Sequence, residues 1–295
     1  GVPRLHGSVP IYSHPNSLGG VSMGAIPYVV FLFPVVRTWL LRIPMLVLAA
    51  TATTCVLYTG SRTAYVAFFA FGLVWFFMSR RKKRWLIIAL VISAVAYPVI
   101  PQHYKERFTS ITGQEAEGQS KGARTEILRD AWQILLENPA GVGIASFPTV
   151  RQQRFGRSQD THNLYLEVAI NLGIQGLVVF LALVACILGA CRQAQRRFED
   201  QRKRICDLVM RRDLPPSIRG DLRTHDRDLE FFIAVTQATW GFLFIRLVVG
   251  LFGSDLYEIY WWFCAGLAIS LLTLAVTTFE KTRFLRAAVE HRGSI

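Results

Sequence analysis

Asp160-Thr161-His162-Asn163, running directly into LYLEVAINLGIQGLVVFLALVACILGA (164–190), is the stretch whose reading decides the fold. The run after Asn163 contains one charged side chain, Glu167, and no lysine or arginine. An apolar run longer than about 20 residues is long enough to cross a bilayer as a helix. Inside hydrocarbon the backbone must satisfy its own polar groups, and a single segment does so only as a helix. The same pattern recurs on both sides of this stretch. Seven apolar blocks can be placed, at 18–36, 43–59, 62–78, 85–100, 163–190, 231–252 and 256–278. The second begins at Pro44, which a helix start tolerates.

Composition agrees with this reading. The chain has 295 residues, of which 52% are hydrophobic, and its mean hydropathy is above zero. The expected fold class is an all-α membrane protein, a polytopic helical bundle with about seven transmembrane helices in a single membrane domain over 1–295. Gly1 opens a polar segment without an initiating Met or a signal peptide. The chain is therefore expected to be the later part of a longer membrane protein.

The formal charge of +13 raises nucleic-acid binding as a first thought. Its distribution argues against that. Basic residues gather at Arg80-Arg81-Lys82-Lys83-Arg84, between Arg192 and Arg227, and in the tail after Phe279. These clusters alternate with loops of near-balanced charge, as the positive-inside rule requires. One parity fits: 1–17, 60–61, 101–162 and 253–255 outside, with 37–42, 79–84, 191–230 and the tail inside. It puts 22 of the 33 lysines and arginines on the cytoplasmic side with 10 acidic residues. No nucleic-acid-binding motif accompanies the charge. Cys55, Cys186 and Cys264 fall in apolar blocks, and Cys191 and Cys206 fall in the basic stretch. No disulfide framework or metal-like spacing follows.

Two loops are long. In 101–162, expected to be periplasmic, Ile127, Leu128, Ala131, Trp132 and Leu135 make an apolar face at helical spacing between Ala123 and Glu137. Such an amphipathic helix lies on the bilayer surface or caps the bundle. Asn138-Pro139 ends it, and Gly141-Val142-Gly143 turns the chain. The cytoplasmic stretch 191–230, with Pro215-Pro216 near its middle, is expected to form short surface helices on the anionic leaflet.

Chemistry concentrates where polar loops meet apolar blocks. Asp160 or Thr161 can cap the helix that follows, which leaves His162 in the first turn at the bilayer surface. The electropositive helix start disfavours an imidazolium, so a neutral His162 is a candidate general base for a sugar hydroxyl. The bland alternative is a histidine that only helps cap the helix or sits among headgroups. Arg62 opens a helix after Thr59-Gly60-Ser61, where a cation is unfavourable without an anionic partner such as a lipid-linked pyrophosphate. It can equally snorkel to headgroups. Arg246 lies inside the sixth block and needs a partner or a wet cavity, either a phosphate or an ion pair with Asp255 or Glu258. Arg151, Arg154 and Arg157, at intervals of three, form either a basic lip over a lipid phosphate or a solvated face. Arg4 with His14-Pro15-Asn16 is a further outside cluster. Phosphate-loop, zinc-protease, serine-hydrolase and dinucleotide fingerprints are missing, which argues against soluble-nucleotide or protease chemistry.

Taken together these strings resemble a known family. His162-Asn163, nine residues, then Gly173-Ile174-Gln175-Gly176 is similar to the signature of O-antigen ligases, many O-antigen polymerases and bacterial protein O-oligosaccharyltransferases. Three further strings agree in order: Arg4 with His14-Pro15-Asn16, Ser61-Arg62, and Arg124-Thr125-Glu126 through Trp132 to Gly143. The resemblance implies a helical membrane bundle that moves glycan from undecaprenyl pyrophosphate to an acceptor, with neither metal nor other cofactor. It implies a multi-pass protein of the bacterial inner membrane whose site faces the periplasm. His162 would be the general base or acceptor-orienting residue. Arg62 and Arg4 would hold the pyrophosphate, and Arg124 would either join them or anchor the loop helix; Arg246 is a candidate for the same role on its depth in the membrane, apart from the resemblance. Arg151, Arg154, Arg157 and Asn163 are loop candidates.

The acceptor stays open among lipid A-core, which is favoured, a growing glycan, and a protein. From other classes, a lipid-linked-glycan transporter would place charge along a path through the bilayer. A scaffold of an export complex would draw on the basic 191–230 stretch.

Overall fold

A computed structural model describes residues 4–9, 12–79, 118–210, 214–253 and 256–290, with isolated positions between 82 and 105. Eight helices and no strand occur among the described residues. They are α1 (Pro15–Leu32), α2 (Trp39–Thr59), α3 (Arg62–Met78), α4 (Gly118–Glu137), α5 (Phe147–Phe155), α6 (Leu164–Met210), α7 (Pro216–Gly250) and α8 (Tyr260–Glu290). Four of them, α2, α6, α7 and α8, are long and apolar enough to cross a membrane, and α3 is a shorter apolar helix. The protein is an all-α membrane protein. The block at 85–100 and the loop segment 101–117 lie outside the described residues, isolated positions apart. The faces of α2 fit a lipid solvent, since Leu40, Ile43 and Val47 are exposed apolar side chains.

The chain divides into two compact units whose borders fall within α1, α2, α6 and α7. The first contains residues 1–24, 50–181 and 244–258. Its loop 118–163 has a core of its own: Ile127, Ala131 and Ile134 of α4 meet Phe147 of α5 and Ile170 of α6. The apolar face expected for α4 is therefore divided. Leu128, Trp132 and Leu136 stand on the other side, exposed, and form an uncovered ridge at four-residue spacing.

α4 and α5 are cross-braced by charge. Arg151 is buried, and its Nε donates to Asp130 Oδ2 at 2.9 Å. Arg157 pairs with Glu126 at 2.5 Å, and Arg154 pairs with Glu137. The Arg154 guanidinium holds the Glu137 carboxyl below the usual carboxylate range. A buried cation stripped of its partner costs about 3–5 kcal/mol, whereas an exposed pair contributes little. Asp130→Asn is therefore expected to expose the 138–162 segment to protease. Arg154→Gln should leave the digestion pattern unchanged, and equal patterns for the two variants would refute this division of labour.

The interlock between α6 and the loop before α5 positions the site. Gly173 has φ 78° and ψ 177°, so α6 is broken there. A break frees carbonyls of the preceding turn, which need donors from elsewhere. Val142 N–H donates to Ile170 O at 2.8 Å, and Gly143 N–H to Asn171 O at 3.0 Å. Ile174 N–H in turn donates to Pro139 O at 3.0 Å. The backbones approach so closely that a Cβ on Gly141 would lie 2.5 Å from Gly173 N, and one on Gly173 would lie 2.5 Å from Ala140 C. Asn171 completes the joint, its Oδ1 accepting from Phe147 N–H at 3.1 Å.

The second unit contains residues 25–49, 182–243 and 259–295. The sequence predicts short surface helices over 191–230; instead α6 runs on to Met210 and α7 starts at Pro216. The reason lies beneath the arginines. Buried Cys191, Ala194, Phe198, Gln201 and Ile205 recur at alternating intervals of three and four, as do Leu222, His225 and Leu229. Leu271, Ala275, Thr282, Leu285 and Val289 continue the pattern on α8. An alternating three-four spacing is the seam of helices packed side by side. One layer is polar: His225 Nε2 lies 2.7 Å from Thr282 Oγ1, which donates to Gln201 Oε1 at 3.1 Å. Arg202 pairs with Asp226 at 2.9 Å and Glu230 at 3.4 Å on the rim.

Candidate active site

The first unit gathers several of the chemically loaded residues around the start of α1. Arg4 is fixed by two neutral oxygens, donating from Nε to Thr59 O at 2.8 Å and from Nη2 to Asn16 Oδ1 at 3.1 Å. Leu5 N–H adds a bond to Tyr58 O at 3.0 Å, so the N-terminal segment is stitched to the end of α2. α1 can come this close because it presents Gly19 and Gly20. A Cβ on Gly19 would lie 3.0 Å from Thr59 Oγ1 and 3.2 Å from Ser61 Cβ. One on Gly20 would lie 3.4 Å from Arg246 Nη1.

The corner between α2 and α3 places Arg62. Gly60 takes φ 57°, and the Ser61 hydroxyl caps α3 by accepting from Ala64 N–H at 3.3 Å. Arg62 is thus the first helical residue, as the sequence predicts, and it is half-buried. Arg246 of α7 is buried. The end of α7 is tied to α6 by Tyr165 Oη, which donates to Leu247 O at 2.9 Å.

His162 stands just before α6 rather than in its first turn. Asn163 is the residue that caps the helix, its Oδ1 accepting from Leu166 N–H at 3.0 Å and its Nδ2 donating to Leu251 O at 3.1 Å. Thr161 steadies the turn through Asn163 N–H at 3.3 Å, and Asp160 Oδ1 accepts from Thr161 N–H at 2.9 Å. Between them His162 takes φ 50° and is exposed. A left-handed conformation is uncommon for a residue with a Cβ and costs about 1 kcal/mol or more. Here it turns an imidazole outward at the end of a rigid helix.

His14 is the residue the motif reading undervalued. Its carbonyl accepts from Ser17 and Leu18 N–H at the start of α1, and its Nδ1 accepts from Asn16 N–H at 3.2 Å. An Nδ1 that accepts leaves the ring proton on Nε2 of a neutral imidazole. Burial, then the charge of Arg4, then that of His162, lower the His14 pKa below 6.5. A depressed histidine stabilises its surroundings while neutral, and that contribution is lost as pH falls through its folded-state pKa. Arg4→Gln should raise the His14 midpoint toward 6.5, read by NMR of labelled histidine. An unmoved midpoint would exclude Arg4 as a cause. The signal available in the sequence was the His-Pro-Asn string entering an apolar block.

The structure thus brings His162, His14, Arg4, Arg246 and the corner bearing Arg62 into one unit. Arg151, Arg154 and Arg157 instead face the carboxylates of α4. Arg124 lies on α4, and Asp255, one of the partners considered for Arg246, lies outside the described residues. Among the described residues no three His, Cys, Asp or Glu side chains gather as metal ligands.

Residues 45–181 match the family model described as O-antigen ligase. Over these residues the chain is similar to O-antigen ligases. The matched segment holds α3, α4, α5, the Gly141–Gly173 interlock and His162, while Arg4, His14 and Arg246 fall outside it. The O-antigen ligase of Salmonella typhimurium is 28% identical over 186 residues, which cover 54% of this chain and 44% of that protein. The chain therefore aligns with less than half the length of this relative.

Proposed function

We propose that the chain transfers a glycan from undecaprenyl pyrophosphate to an acceptor hydroxyl at the periplasmic face of the bacterial inner membrane, with lipid A-core the favoured acceptor. The observation that carries this reading is the grouping of Arg4, Arg246 and the Arg62 corner with two histidines at the start of α1. Guanidinium groups bind phosphate oxygens in a bidentate way and offset charge that develops on a departing pyrophosphate. The acceptor oxygen attacks the anomeric carbon as the bond from that carbon to the phosphate oxygen breaks. The pyrophosphate leaves with the electron pair, the configuration inverts, and His162 takes the acceptor proton. His162 is exposed and so open to an incoming acceptor, whereas Arg246 is buried, where a guanidinium is shielded from water.

The test is transfer by the protein in proteoliposomes from a defined undecaprenyl-pyrophosphate glycan. Lipid A-core, a second copy of the glycan, and a pilin-like protein are offered in parallel. A glycan-lipid A-core product supports the ligase reading, and a lengthened lipid-linked glycan makes the protein a polymerase. Movement of the donor across the bilayer without any transfer would replace both with a transporter.

A further inference from the structure

α4 carries apolar side chains on two adjoining faces, and only one of them is packed. With 3.6 residues per turn, its side chains fall in a fixed order round the helix. Glu126 and Glu137 come first and pair with Arg157 and Arg154 of α5. Ile127, Ala131 and Ile134 follow, buried in the loop's own core. Half-buried Leu135 leads from that core to the exposed ridge of Leu128, Trp132 and Leu136. Thr125, Arg129 and Gln133, all exposed, close the circle. The ridge and the charged edge that meets α5 therefore flank the core on opposite sides.

The place where the ridge ends points to what covers it. Leu136 lies three positions before Pro139, whose carbonyl accepts from Ile174 N–H at 3.0 Å. Ile174 begins an exposed stripe, Ile174, Val178 and Leu181, on a helix long and apolar enough to cross a membrane. Side chains on the outside of such a helix have hydrocarbon as their solvent. The ridge thus starts from the rim of a lipid-facing surface, and Trp132 stands at its middle. An indole, with an apolar body and one N–H donor, settles where headgroups meet acyl chains.

We propose that Leu128, Trp132 and Leu136 dip into the bilayer leaflet beside the start of α6. α4 then lies along the membrane surface with Arg129 and Gln133 toward water, the division of polarity that interfacial helices have. A protein partner is a poorer occupant, because three side chains fall far short of the roughly 20–30 residues that each side of a specific protein interface contributes. Nothing in this inference depends on glycan transfer, so either can fail alone.

The experiment places the photo-crosslinking residue p-benzoylphenylalanine at one position at a time in the whole chain, reconstituted in vesicles of phosphatidylethanolamine and phosphatidylglycerol. Adducts are read by intact mass spectrometry after irradiation. Val178 sets the yield of a lipid-facing position, and Gln133 that of a water-facing one. All the positions used are exposed, so the substitution leaves the core intact. Trp132 and Leu136 should form phospholipid adducts near the Val178 level and at least about fivefold above Gln133. Yields at either position no higher than at Gln133 would overturn the proposal. So would a crosslink between two copies of the chain, which would make the ridge a protein interface.

Discussion

His162→Ala is expected to leave the protein folded in the membrane while lowering glycan transfer by roughly 10²–10⁴-fold, the usual contribution of a positioned acid or base. The backbone at this position is left-handed, so alanine brings a conformational cost of its own. Asn tolerates that region better than most residues and carries no basic nitrogen. His162→Asn is therefore the cleaner variant, and it should be as inactive as alanine. Arg62→Ala should lower transfer by about 10²-fold or more, as the loss of one charge-stabilising donor does. The two losses should differ in pH dependence: removing a base flattens the acidic limb of the rate profile, and removing a guanidinium does not. Near-normal transfer by both variants would sink the assignment.

Gly173→Ala is expected to have the largest effect on folding. The φ 78°, ψ 177° conformation belongs to a region that is essentially reserved for glycine and costs other residues about 1–3 kcal/mol. The added methyl would also lie 2.5 Å from the Ala140 carbonyl carbon and oxygen, and backbone cannot give way as a side-chain tip can. Both effects push the loop at 138–143 off α6 and leave the Ile170 and Asn171 carbonyls without their donors. Gly189→Ala, farther along the same helix, meets nothing within 4 Å and serves as the control. The expected result is loss of monodisperse protein, or protease sensitivity across 138–162, for Gly173→Ala alone. Normal yield and digestion for that variant would contradict the interlock.

What the sequence disclosed follows from what is local. Apolar blocks, basic clusters and the helix opening at Ser61 are read from neighbours in the chain, and the all-α membrane fold is legible from them; the same reading puts the cap of α6 at Asp160 or Thr161, whereas Asn163 supplies it. Gly-Ile-Gln-Gly at 173–176 is legible as a motif. The helix break within it is not, because the donors that make a break tolerable come from Val142 and Gly143. Arg151 looks like its neighbours Arg154 and Arg157, yet it alone is buried, against an aspartate 21 positions earlier. His14 gains its character first from burial and then from the charges of Arg4 and His162, which come together only in three dimensions. Over 191–230 the abundant arginines outweigh the buried positions in any local average, so a helical seam reads as a loop.

That seam bears on how the protein's topology is mapped. The polar layer of Gln201, His225 and Thr282 is closed by a residue beyond the apolar block of α8, and Leu285 and Val289 lie farther still. A reporter enzyme fused just after residue 278 would leave His225 and Gln201 facing no third helix. Such a fusion reports on a damaged protein, and its signal says little about which side the native terminus occupies. Junctions placed after Glu290 keep α8 whole and give a reading that can be trusted.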